Sequence, residues 1–302
     1  MYDGPIIDTH HHIWTVKNYP WLTAPPSPKI FGSNYELLRH DYLVNDLIKD
    51  FGGNNIVKSV HEQAHYNPPD HIGETKWLQS IADQNSYPNG IVGYADISAS
   101  DIACVLDGHI KYPNFRGIRQ VVAWHPSKPE WQIVDRPDYC LSKKFHLGLE
   151  QLEIRGLHFE LQGFPNQFNF FSKLITSHQS LRFCLVHGGL LVGDDEVNFD
   201  EWRRGIEMLS QFKNLYVKCS GLNVLNWTNN PRSLEAITRQ YNAIIDMFGA
   251  ERCFFGSNFP VEKIKISYDT VIKLCKLALI ERTESEVRAF FHDSADDFYR
   301  LT

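Results

Sequence analysis

Pro5-Ile6-Ile7-Asp8-Thr9-His10-His11-His12 is the stretch on which the fold turns. A short apolar, β-branched run reads as a buried strand, and it passes directly into an acid and three histidines. An open, doubly wound sheet is expected to carry a glycine-rich phosphate loop after its first strand, and here that position holds histidines. Seven further apolar runs follow: Ile56–Val60, Gly90–Tyr94, Phe115–Arg119, Gly156–Leu161, Leu181–Val186, Leu215–Cys219 and Cys253–Gly256. Helix-length amphipathic segments separate them. In Thr75–Asn85 the residues Trp77, Leu78, Ile81 and Ala82 share one face; in Leu234–Phe248, Ile237, Tyr241, Ile244, Ile245 and Phe248 do so. Glu284–Tyr299 reads as a closing helix. Eight strands in a βα repeat predict a (β/α)8 TIM barrel with long βα loops, residues 1–302 forming one domain.

The chain has 302 residues, 43% hydrophobic and 22% charged, enough to bury a full core. Its formal net charge is -6 and its Lys and Arg are scattered, which argues against nucleic-acid or anionic-membrane partners. No charged-then-apolar leader precedes Ile6 and no apolar stretch is long enough to cross a bilayer, so the expected location is cytoplasmic. The six cysteines have no close pair and read as free thiols of a reducing compartment.

In such a barrel the functional side chains sit at the C-terminal ends of the strands. Those positions hold His10 and His12, His61 with Gln63, Asp96, Arg119 with Gln120, Glu160 and Gln162, His187, Lys218 with Ser220, and Asn258. His10 and His12 are two apart on an extended backbone, so their rings project to one side while His11 projects to the other and is read as structural. Two converging imidazoles make a chelating pair for a borderline divalent ion, and His187 of "LVHGG" adds a third across the barrel mouth. The glycines after His187 would let backbone approach a ligand. Arg119 and Lys218 offer fixed cations to a carboxylate or carbonyl, and Trp124 with His125 would line the pocket. Glu160 and Gln162 share a face and fit a structural hydrogen-bond network as well as a catalytic role. Trp14, Tyr19, Trp21, Tyr66, Trp124 and Trp227 suggest stacking on a sugar or apolar face, or packing of the loops.

The motifs "IIDTHHHIW", "YPWL", "GETKWLQSIA", "FRGIRQ", "LHFELQ", "LVHGGL", "NLYVKCSGL" and "CFFGSNFPVEK" together span Ile6 to Lys263. In this order they resemble the amidohydrolase-related (amidohydrolase 2 type) branch of the amidohydrolase superfamily, and within it the sugar-lactone and muconolactone lactonases. The resemblance implies a distorted (β/α)8 barrel that hydrolyses small cyclic esters. By motif it places the first-strand histidines at His10 and His12, the sixth-strand histidine at His187, and the substrate-orienting arginine at Arg119. It places the eighth-strand "GSDFP" motif at Gly256-Ser257-Asn258-Phe259-Pro260. The family aspartate that deprotonates water is thus Asn258 here, and an amide neither accepts a proton near neutral pH nor binds a metal as a carboxylate does.

The expected activity is a lactonase acting on carboxylic ester bonds, on a small-molecule lactone. Two arrangements supply its nucleophile: one divalent metal ion, zinc first, on His10, His12 and His187; or no cofactor, with an imidazole as general base. Gln63, His61, Glu160, Gln162, Lys218, Trp124 and Arg119 are the expected substrate contacts. The alternatives are a metal-dependent non-oxidative decarboxylase of the same branch, or an impaired barrel that only binds a small molecule. Interface and loop-packing aromatics look alike in sequence, so no oligomeric state is assigned.

Overall fold

The computed structural model describes residues 1–24, 29–67, 70–223 and 231–301, with 29–33 as backbone alone. Trp227 and the Pro25–Pro28 segment of the first long loop lie outside these residues. The strands are β1 (Ile6–His11), β2 (Ile56–Glu62), β3 (Gly90–Gly93), β4 (Phe115–Val121), β5 (His158–Gln162), β6 (Phe183–Leu185), β7 (Leu215–Cys219) and β8 (Cys253–Phe255). They form one parallel sheet in sequential order, β1 through β8. Each is followed by a helix: α1 (Val44–Phe51), α2 (Gly73–Asn85), α3 (Ile102–His109), α4 (Lys143–Ile154), α5 (Phe168–Ser177), α6 (Glu196–Ser210), α7 (Leu234–Phe248) and α8 (Tyr268–Ala278). This is the expected (β/α)8 barrel, nearly closed. Helix starts follow local chemistry: Ser142, Asp195, Ser233 and Ser267 each accept a backbone N–H of the first turn of α4, α6, α7 and α8, each cap worth about 1 kcal/mol.

The expected closing helix is broken into α9 (Glu284–Arg288), a π turn at Ala289–Asp293 and α10 (Ser294–Tyr299). From α10, Phe298 and Tyr299 join Leu301 in packing onto Ile7, Val60, Val92, Cys184 and Phe254, which line the barrel interior at its lower end. The apolar residues on the outer faces of the strands pack against the helices in a separate, larger cluster. With the lower end stoppered by α10, only the C-terminal end of the barrel can admit a ligand.

Between β8 and β1 the ladder is reduced to one isolated bridge, His11 with Phe259. Backbone bonds from Asn258 N–H to the His10 carbonyl (2.6 Å) and from His12 N–H to the Phe259 carbonyl (2.7 Å) extend it. Side chains complete the seam. The buried Asp8 carboxylate accepts from Ser257 N–H at 2.8 Å, Ser257 Oγ at 2.6 Å and Tyr268 Oη at 2.9 Å. All six cysteines are free thiols, and among the described residues no helix is long and apolar enough to cross a membrane.

Candidate active site

β1 carries a register irregularity between Asp8 and His11. Ile7 faces into the barrel and Asp8 outward onto β8 and α8; strict alternation would then send His10 outward. The irregularity inserts one extra step, which turns His10 inward and His11 outward. His11 Nε2 lies 3.0 Å from Ser59 Oγ and its ring packs edge-on against His61. The inward rings of His10 and His12 are 5.0 Å apart, and that of His10 lies 4.7 Å from His187. Gly256 permits this approach, because a Cβ there would stand 2.6 Å from the His10 Cβ.

His12 Nδ1 lies 2.7 Å from the Glu62 carbonyl oxygen. A carbonyl only accepts, so Nδ1 carries the proton and Nε2 holds the lone pair. His187 Nδ1 meets Ser220 Oγ at 2.9 Å, and the same hydroxyl lies 3.4 Å from His10 Nδ1. His10 Nε2 is buried without a partner. Burial above all holds all three imidazoles well below the usual range, followed by His187 and Lys218 for His10, by Arg119 and Lys218 for His187, and by Arg119 for His12.

His187 and Asn258 both sit at positive φ, 55° and 58°, a conformation that asparagine tolerates better than most residues. Asn258 Nδ2 donates toward Glu262 Oε1 at 3.4 Å, and Glu262 is anchored by Asn223 Nδ2 at 2.8 Å. Burial raises the Glu262 carboxyl, partly offset by these bonds. Because the amide nitrogen faces a carboxylate, Asn258 Oδ1 is the end left for a ligand.

One layer deeper lies an ionic cluster. Lys218 Nζ sits 2.5 Å from Glu62 Oε2 and 2.6 Å from Glu160 Oε2, all three side chains fully buried. Arg119 Nε faces Glu62 Oε1 at 3.2 Å, its Nη1 donates to Gln162 Oε1 at 3.1 Å, and its Nη2 donates to the Gln63 carbonyl. Burial and the adjacent Glu160 push the Glu62 carboxyl up to about 7. Against the opposing effect of burial, Glu160 and Glu62 raise the Lys218 ammonium.

Several expected positions are corrected by this geometry. His61 faces out of the barrel, its Nε2 3.4 Å from Glu74 Oε1 and its Nδ1 accepting from Ile13 N–H. Because Val60 points inward, alternation places Glu62, not His61, on the inner face. Glu160 and Lys218 lie beneath the mouth; Glu160 Oε1 accepts from Tyr299 Oη of α10 at 2.8 Å. Asp96 and Gln120 bond to each other and hold the loop after β3. The glycines after His187 serve a left-handed turn and close helix packing rather than a ligand: a Cβ at Gly189 would meet Phe168 at 2.7 Å. Trp14 and Tyr19 are fully buried loop anchors, bonded to the His40 carbonyl and to Glu74. The half-buried Trp124 is held by backbone bonds to Gln167 and Asn166.

The model of the amidohydrolase family matches residues 7–301. The chain belongs to the amidohydrolase family. An uncharacterized protein, y4mH, of Sinorhizobium fredii is 36% identical to this amidohydrolase over 303 residues, covering all of both chains. An L-fucono-1,5-lactonase of Burkholderia multivorans is 25% identical, covering 89% of this chain and 86% of its own. A crystal structure of a Burkholderia multivorans amidohydrolase with bound zinc superposes with a TM-score of 0.83 at 23% identity, covering 99% of this chain and 100% of that one.

In this amidohydrolase the fit to a metal ion is poor. Among the described residues no three His, Cys, Asp or Glu side chains form a group that could hold one. With Nδ1 of His12 and His187 engaged, only Nε2 of each could face an ion, and the carboxylate that would complete the set is the amide of Asn258.

The same imidazoles make acid stability a test of the geometry. His10, His11, His12, His158 and His187 are all held well below the ordinary value of 6.5, burial being the first cause in each. Below that value the unfolded chain binds protons that the folded one does not. Stability is thus fully present above about pH 6.5 and falls as pH drops, by about 1.4 kcal/mol per unit for each such imidazole. Two of the five acting this way would remove about 2 kcal/mol between pH 6.5 and 5.5, and Glu62, whose raised carboxyl gains a proton over the same range, would return about 1 kcal/mol. Urea midpoints at pH 7.5, 6.5 and 5.5 should fall mainly over the last interval; an unchanged midpoint at pH 5.5 contradicts buried neutral histidines.

Proposed function

We propose that this amidohydrolase is a lactonase, hydrolysing a small cyclic ester of the sugar-acid or muconolactone type with His12 as general base. The observation that carries the reading is the 2.7 Å bond from His12 Nδ1–H to the Glu62 carbonyl. It leaves an unprotonated Nε2 on a ring that is 5% exposed, beside the unpartnered His10 Nε2. Nε2 takes a proton from water as the water oxygen bonds to the ring carbonyl carbon, and the carbonyl electrons move to its oxygen. The tetrahedral adduct collapses, the C–O bond to the ring oxygen breaks, and that oxygen takes the proton back from His12. The product is an open hydroxy acid. Arg119, clamped on three sides, supplies fixed N–H groups to the developing oxyanion or a ring hydroxyl, and Asn258 Oδ1 accepts a hydrogen bond from the attacking water.

Likeness to L-fucono-1,5-lactonases at 22% and 25% identity over most of the chain supports the class. The decarboxylase alternative relies on a metal, for which these side chains are poorly arranged. Acid release from a panel of lactones, read with a pH indicator, tests the proposal; carbon dioxide release from a carboxylated ring, with no lactone cleaved, overturns it. After exhaustive chelation, with divalent metal below about a tenth of an equivalent, kcat/KM is expected to stay within about twofold of its starting value. A loss of tenfold or more that zinc restores would return the metal to the mechanism.

A further inference from the structure

We propose that Glu62 sets the charge selectivity of this site, so that it takes an uncharged, hydroxyl-bearing lactone and turns carboxylated lactones away. This rests on the lactonase reading and narrows its substrate class. Both cations acting on the three imidazoles are already matched. Lys218 lies against Glu62 and Glu160, and each guanidinium nitrogen of Arg119 has a protein oxygen against it, from Glu62, Gln162 or Gln63. A third carboxylate, Glu262, stands behind Asn258. Around neutral imidazoles this leaves no net positive charge to offset the desolvation of an incoming anion.

The hydrogen-bonding atoms point the same way. Glu62 Oε1 stands 3.2 Å from Arg119 Nε, and His10 Nε2 is buried without a hydrogen-bond partner; all three side chains are at least nine-tenths buried. A hydroxyl donates and accepts, so it can meet a lone pair of Glu62 Oε1 or the His10 nitrogen; a carboxylate only accepts and would face another anion in Glu62. Selection by an unmatched buried charge discriminates more sharply than selection by shape.

The test is kcat/KM at pH 8 for two panels, neutral aldonolactones and lactones bearing a carboxylate, with wild type and Glu62→Gln. Wild type is expected to prefer the neutral panel by about a hundredfold or more, and Glu62→Gln to shrink that ratio by about tenfold or more, gaining on the anionic panel. Wild type taking carboxylated lactones equally well overturns the inference while leaving the lactonase standing, as does an unchanged ratio in a folded Glu62→Gln. If that variant does not fold, the wild-type ratio decides alone. Turnover of neither panel overturns the lactonase reading and this inference with it.

Discussion

Lys218→Met is expected to lower the unfolding free energy at pH 8 by about 3–5 kcal/mol, the cost of leaving buried charge without its partner. Methionine keeps most of the volume of the lysine stem but removes the cation between Glu62 and Glu160, which lie 2.5 and 2.6 Å from it and are fully buried. Water cannot take its place, because α10 seals the barrel from below and Tyr299 already donates to Glu160. Deprived of their cation, the two carboxylates bind protons more tightly folded than unfolded. Stability of the variant is therefore best at low pH and lost as pH rises, so its deficit against wild type should be larger at pH 8 than at pH 5.5. Glu160→Gln/Lys218→Met, which leaves Glu62 paired with Arg119, should recover most of the loss. Paired urea titrations measure both effects, and a deficit under about 1 kcal/mol at pH 8 would mean the cluster is not the sealed ion group described above.

His12→Ala should reduce lactone kcat/KM by about 10²–10⁴, the range that a positioned general base supplies. The fall should lie mainly in kcat, since the base acts on water and not on the ring. The contrast is His11→Asn, two atoms of backbone away but turned outward onto Ser59. That variant is expected to keep kcat/KM within about fivefold, with any loss showing in thermal stability. Equal losses in the two variants would indicate that the histidine run acts through the fold of β1 and not through the Nε2 of His12.

The apolar runs were sufficient to place all eight strands, because strands buried on both faces read as continuous β-branched segments. The site was less legible, for one local reason. Which side chains face inward depends on counting by twos from a known inward residue, and that count must run to the true end of the strand. β2 continues past Val60 to Glu62, so the inner face ends on Glu62 while the sequence drew attention to His61. Counting on from Val60 would have found Glu62. In β1 no such count works, because the irregularity between Asp8 and His11 leaves no mark in residue type. The pairing of Asn258 with Glu262 four residues later was equally hidden, since it depends on a turn with positive φ at Asn258.

The seam between β8 and β1 also fixes when the active site can exist. His10 and His12 leave the ribosome well before Ser257 and Asn258, on which their setting depends, the Asp8–Ser257 bond alone joining residues 249 apart. Until β8 is made the histidines belong to a strand with an open edge, which is prone to pairing with the wrong partner. Closure has to wait for β8, and contacts of such long range form slowly. Nascent fragments ending before β8 should thus carry the reactive imidazoles without the means to aim them.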